Sequence, residues 1–121
     1  MSDVVTQKVI GAAIEVHKFL GPGLLEVIYE EALCIELARR EIPFQRQVDI
    51  SVIYKEHIIT GQRLDLLVEA CVVVELKSVQ AIPQYATAQL LSYLKATGLK
   101  RGLLINFGEQ TLVRGIQRIS L

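Results

Sequence analysis

Apolar positions recur at helical spacing over the first forty residues and at strand spacing after them. From about Val4 to Leu20, the residues Val9, Ile10, Ala13, Ile14 and His17 fall three to four apart, the stripe of an amphipathic helix. Gly21-Pro22-Gly23 then breaks the chain. A second helix is expected from about Leu24 to Arg40, with Leu25, Ile28, Tyr29, Ala32, Leu33 and Leu37 as its apolar stripe, ended by Ile42-Pro43. The period next changes to two: Val48, Ile50 and Val52 alternate with Gln47, Asp49 and Ser51, as in a strand with one buried face. Tyr54 to His57 reads as a turn into a short second strand that stops at Gly61. A third strand spans about Arg63 to Val68 and a fourth Cys71 to Lys77. The β-branched run Val72-Val73-Val74 suits a central strand covered on both faces. Helical spacing returns after Pro83, through Tyr85, Gln89, Leu90, Tyr93 and Leu94, until Gly98 offers a C-cap. Gly102 to Gly108 reads as a fifth, buried strand and Val113 to Ile119 as an edge strand. The order ααββββαββ predicts an α/β fold, a mixed central β-sheet flanked by helices.

Composition narrows this further. The chain has 121 residues, 51% of them hydrophobic, with three Pro and eight Gly, which excludes a disordered or fibrous protein. No repeat or linker divides it, so residues 1–121 are expected to form one domain. The longest apolar run, Ala70 to Val74, is far short of the roughly 20 residues of a membrane helix. The first residues lack an apolar signal core, and the expected location is the cytoplasm. Cys34 and Cys71 lie far apart, both in apolar stretches. They read as small buried hydrophobes rather than a disulfide or zinc site.

Thirteen Lys plus Arg balance thirteen Asp plus Glu, which excludes a uniformly basic DNA-coating protein. The balance conceals an asymmetry. Residues 1–75 carry seven basic and twelve acidic side chains, whereas residues 76–121 carry six basic and one acidic. The late basic set is Lys77, Lys95, Lys100, Arg101, Arg114 and Arg118.

The chemistry is suggested by polar groups where the pattern demands apolar ones. Glu75 and Lys77 follow three valines on the most apolar strand, two residues apart and hence on one face. Burying such a charge costs on the order of several kcal/mol unless it is paired or bound to metal. Asp65 raises the same question within Arg63 to Val68. A hairpin turning at Glu69-Ala70 pairs residues symmetrically and sets Asp65 across from Glu75. Adjacent carboxylates repel unless a cation lies between them, and oxygen ligands suit Mg²⁺ or Mn²⁺. Spacing alone leaves an alternative open, in which Asp65, Glu75 and Lys77 form a surface ion-pair network at an exposed strand end.

Gly61-Gln-Arg-Leu-Asp65, Glu75-Leu-Lys77 and Gln89-Leu-Leu-Ser-Tyr93, taken in that order, resemble the PD-(D/E)xK nuclease superfamily in its branch with a Q-x-x-x-Y helix. Gly23-Leu-Leu-Glu26-Val-Ile-Tyr29 further resembles the signature of the GxxExxY protein family within it. The likeness runs from the first helix to the fifth strand. Its one departure is Leu64-Asp65 in place of Pro-Asp. The resemblance implies a restriction-endonuclease-like core and a Mg²⁺ (or Mn²⁺) held by Asp65, Glu75 and the backbone carbonyl of Leu76. It implies Glu26 as a further ligand or an acceptor behind the ligands, and Lys77 as the group that polarises water or steadies phosphate charge. Gln89 and Tyr93 would support the ligands or contact nucleic-acid backbone. The implied activity is metal-dependent phosphodiester hydrolysis, with DNA as the expected partner.

Plainer readings accompany these residues. Glu26 suits the first turn of a helix on dipole grounds alone. Tyr93 and Gln89 fit an amphipathic core residue and a surface amide. Tyr29 and Tyr85 read as packing residues, Glu30, Glu31 and Glu36 as a solvated acidic face, and His17 and His57 as non-catalytic. Two other functions compete with the nuclease: a catalytically silent nucleic-acid-binding module, and a partner-binding domain whose buried charges only pair with each other. A homodimer through the strand at Val113 to Ile119 stays open.

Overall fold

The computed structural model describes residues 2–121. Its elements are α1 (Ser2–Leu20), α2 (Glu26–Arg39), β1 (Phe44–Tyr54), β2 (His57–Val68), β3 (Val72–Lys77), α3 (Gln84–Thr97), β4 (Arg101–Asn106) and β5 (Ile116–Ser120). A 3₁₀ turn, Leu112–Gly115, precedes the last strand. The strands form one sheet in the order β1-β2-β3-β4-β5. Every neighbouring pair is antiparallel except β3 with β4, whose parallel pairing needs the crossover that α3 supplies.

The expected mixed sheet flanked by helices is present, with five strands in place of six. The predicted second and third strands are one strand, β2. Gly61, at φ +110°, does not end it. The register passes from Ile50↔Gln62 to Val52↔Ile59, so Thr60 and Gly61 stand opposite Ser51 alone. The glycine is absorbed as a β-bulge, which bends the strand without terminating it. The last strand begins at Ile116 rather than Val113, because residues 112–115 coil into the 3₁₀ turn.

The sheet has a distinct core on each face. Against α1 and α2 pack Val72, Val74, Leu76, Leu103, Ile105 and Phe107, together with Tyr29, Leu33 and Leu37 from α2. Against α3 pack Val73, Leu104, Leu64 and Ile50, with Leu90, Tyr93 and Leu94 from the helix. The valine run is therefore a central strand covered on both sides. Gly98, at φ +76°, caps α3 by donating its N–H to the Leu94 carbonyl at 2.9 Å.

Several expectations about single residues change. Leu25 is 74% exposed, because it caps α2 instead of lying on its stripe, and Ile28 is exposed too. Tyr85 is 65% exposed and packs nowhere in the core. Glu30 is not solvated: it is buried and accepts from Arg46 Nε at 2.6 Å and Gln47 Nε2 at 3.0 Å. Cys34 is a buried free thiol, its pKa raised by that burial, and Cys71 is a half-buried one. His17 is buried on the α1 stripe with Nε2 against the Glu109 carbonyl, while His57 is exposed as the first residue of β2.

Candidate active site

β2 and β3 pair through their backbones only from Val68↔Val72 to Leu66↔Val74. The next step outward in that register falls at Asp65 and Glu75, where side chains take over. The N–H of Asp65 donates to Glu75 Oε1 at 3.2 Å, and the N–H of Leu76 donates to Asp65 Oδ2 at 2.8 Å. On its other edge β3 stays paired with β4 out to Lys77↔Asn106. Glu75 and Lys77 thus ride on a strand held from one side and released on the other. Continuing the alternation from Val73, both belong to the face that α3 covers.

Electrostatics binds these groups into one cluster. Glu75 is 6% exposed, and its carboxyl is pushed up to about 9, first by desolvation and then by the charge of Asp65. Glu26 is the first residue of α2. The residue as a whole is exposed, yet its carboxyl is raised, first by partial desolvation and then by Asp65, while Lys77 pulls it down. Of the predicted set, Asp65 and Lys77 thus act electrostatically on both Glu26 and Glu75. Tyr93 borders it from α3. Its hydroxyl is raised by burial and by the charges of Glu75 and Asp65. Gln62 Nε2 donates to that hydroxyl, and Gln89, one turn away on α3, opposes the rise in its pKa.

The segment Gly21 to Tyr29 explains how Glu26 is placed. Gly21 (φ +68°) and Gly23 (φ +104°) occupy left-handed backbone that glycine adopts without strain. Tyr29 lies one turn into α2, its ring stacked on Phe107 with centroids 4.5 Å apart. Its hydroxyl donates to the Gly21 carbonyl and accepts from the N–H of Leu24 at 3.1 Å. Ser78 Oγ, directly after Lys77, donates to the Leu24 carbonyl at 2.6 Å. The loop is thereby fastened both to its own helix and to the end of β3. Tyr29 is a packing residue, as expected, but one that fixes the head of α2.

Three residues of this region carry no signal in the sequence. Gln47 and Gln62 occupy polar positions of an alternating strand, where an amide reads as solvated. Asn106 ends the apolar β4, fully buried. Asn106 Oδ1 accepts from the N–H groups of Val79 and Gly108, both at 3.0 Å, and its Nδ2 donates to the Val79 carbonyl at 2.9 Å. That clasp ties the loop after β3 to the loop after β4.

Among the described residues, no three His, Cys, Asp or Glu side chains close around one point as a preformed metal cage. The donor chemistry nevertheless fits a hard divalent cation. Two carboxylates lie together, the buried one raised by desolvation and by the charge of its neighbour, and both offer oxygen only.

A mixed sheet flanked by helices, with acidic side chains at the loosened end of its central strand, defines the restriction-endonuclease-like class. A model of the PD-(D/E)XK nuclease superfamily matches residues 3–119, and the chain belongs to that superfamily. Its members generally use divalent metal ions. No curated protein and no solved structure matches the chain. Among the described residues, no helix is long and apolar enough to cross a membrane.

Proposed function

We propose that residues 1–121 act as one domain, a Mg²⁺- or Mn²⁺-dependent nuclease that hydrolyses phosphodiester bonds in DNA. The observation that carries this reading is the reciprocal clasp of Asp65 and Glu75 where β2 and β3 part, with Lys77 two residues further on the same strand. The fastened Gly23-x-x-Glu26-x-x-Tyr29 segment supports assignment to the GxxExxY branch.

Asp65, Glu75 and the Leu76 carbonyl would hold the ion, with Glu26 as a further ligand or an acceptor behind them. A bound divalent ion supplies a more acidic water and Lewis acidity towards phosphoryl oxygen. Lys77 contributes a compact positive charge that hydrogen-bonds the attacking water and draws a non-bridging phosphate oxygen. The water oxygen bonds to phosphorus as the bond to the leaving sugar oxygen breaks. The water gives its proton to solvent, and the leaving oxygen takes one up. Tyr93 stays a neutral donor beside the carboxylates, since burial and their charge both oppose its ionisation.

Substrate binding is expected to be local and salt-sensitive. Lys95, Lys100, Arg114 and Arg118 are exposed, while Arg101 is engaged by Asp3 at 3.5 Å. So few exposed cations in this late segment support only a short footprint on phosphate.

Purified protein incubated with linear, single-stranded and branched DNA in Mg²⁺ or Mn²⁺ tests the assignment. Cleavage is expected with wild type and not with Glu75→Ala or Lys77→Ala. Cleavage that persists in both variants would sink it. Salt-dependent binding without turnover in any metal would identify a silent nucleic-acid-binding module instead.

A further inference from the structure

Gln47 is a non-glycine residue in the interior of a strand, yet its φ is +53°. Other non-glycine residues with positive φ sit in turns, such as Lys55 and Glu56 in the β1–β2 turn and Glu69 and Ala70 between β2 and β3. No turn explains Gln47. The pairing of β1 with β2 keeps one register on either side of it, from Arg46↔Leu66 to Val48↔Leu64. A residue held in this conformation is strained, and such strain persists only where the surroundings impose it.

The side chains reveal what the strain achieves. Neighbours on a regular strand point to opposite faces. Here Arg46 and Gln47 both reach the same carboxylate of α2: Arg46 Nε donates to Glu30 Oε2 at 2.6 Å and Gln47 Nε2 to Glu30 Oε1 at 3.0 Å. The Gln47 amide also donates to Asp65 Oδ1 at 3.4 Å. Glu30 is buried with both oxygens engaged, and Arg46 is further fixed by Glu31 at 3.1 Å. Asp65 is consequently held at both oxygens, Oδ1 by Gln47 and Oδ2 by the N–H of Leu76.

We propose that Gln47 is a positioning residue: its left-handed backbone carries the amide between Glu30 and Asp65, and so sets the orientation of the Asp65 carboxylate relative to α2, the helix that carries Glu26. The inference deepens the nuclease reading and rests on it for the purpose of that orientation. Groups that orient a metal ligand from behind typically change metal affinity about 10- to 100-fold when removed.

Two variants separate positioning from folding. Gln47→Gly relieves the left-handed backbone, whereas Gln47→Ala keeps the strain, so the glycine variant should melt higher than the alanine variant. Both should raise the Mn²⁺ dissociation constant, measured by calorimetry, about 10- to 100-fold and equally. A merely structural role predicts instead that glycine restores affinity along with stability, and that result would overturn the proposal. So would an unchanged Mn²⁺ affinity in both variants.

A second readout needs no metal. The N–H of Leu76 is protected by Asp65 Oδ2, so its hydrogen exchange, followed by NMR, should accelerate in both variants. Unchanged exchange at Leu76 overturns the proposal whatever the metal titration gives. Accelerated exchange in a protein whose wild type binds no Mn²⁺ would uphold the positioning role of Gln47 while removing the nuclease reading beneath it.

Discussion

The two ends of the β2–β3 pair are built from adjacent residues and behave oppositely. At Val68 and Val72 the strands are joined by backbone hydrogen bonds, and both side chains are fully buried beneath the two N-terminal helices. A few residues along, at Asp65 and Glu75, the backbones stop pairing, and carboxylates accept the N–H groups in place of carbonyls. The first end gains stability from apolar burial. The second gives some of it up, because burial and the neighbouring Asp65 oppose ionisation of the Glu75 carboxyl. Two strands thus serve as scaffold at one end and as the proposed site at the other, where main-chain pairing runs out.

Substitutions at the two ends should therefore have separable effects. The largest is expected for Lys77→Ala, which should slow DNA cleavage on the order of 10²- to 10³-fold while leaving the melting temperature within a few degrees of wild type. Comparable losses of rate and stability would mean that Lys77 is a folding residue. At the closed end, Val68→Ala should lower unfolding free energy by about 2 kcal/mol in urea, from lost burial plus a cavity, with Mn²⁺ affinity retained.

The pH dependence of the metal-free protein should be opposite to that of a salt-bridged acid. The Glu75 carboxyl is raised from 4.5 to about 9 in the fold. Its contribution to stability is complete below pH 4.5 and declines as pH rises through about 9, because the unfolded chain ionises freely while the folded one resists. Glu75→Gln lacks this slope. Its melting temperature should gain on that of wild type steadily between pH 5 and pH 9 in chelator, and saturating Mn²⁺ should restore the wild type. Parallel curves in chelator would contradict the burial of that charge. The smallest effect is expected for Tyr29→Phe, which keeps the Phe107 stack and loses the hydroxyl. A loss of about 1 kcal/mol in stability follows, with the Leu24 N–H left without its partner.

The proposed site was more legible in the sequence than its supports were. Glu75 and Lys77 stood out because they continue a run of valines, and Asp65 because symmetry about Glu69-Ala70 brought it opposite Glu75. Both arguments need only strand periodicity. Glu26 could not be reached that way, since α2 meets the sheet through tertiary packing, and only the motif resemblance pointed to it. Gln47 and Glu30 were illegible for a different reason. Each occupies a polar position of its element, where burial or solvation depends on the partner across the gap. Gly61 misled in the familiar way of glycine in a strand, which signals a bulge as readily as an end.

The clasp at Asn106 also bears on how this chain can drift. A Cβ on Gly108 would lie 2.1 Å from the Val79 carbonyl oxygen, so not even alanine fits there unless the backbone moves. The loops after β3 and β4 are thereby locked to each other in length as well as in sequence. An insertion in one would have to be answered in the other, although neither carries the carboxylates. The β1–β2 turn at Lys55-Glu56 is under no such restraint. Length variation among descendants of this chain is expected to collect at that tip and to avoid the two loops beside Lys77.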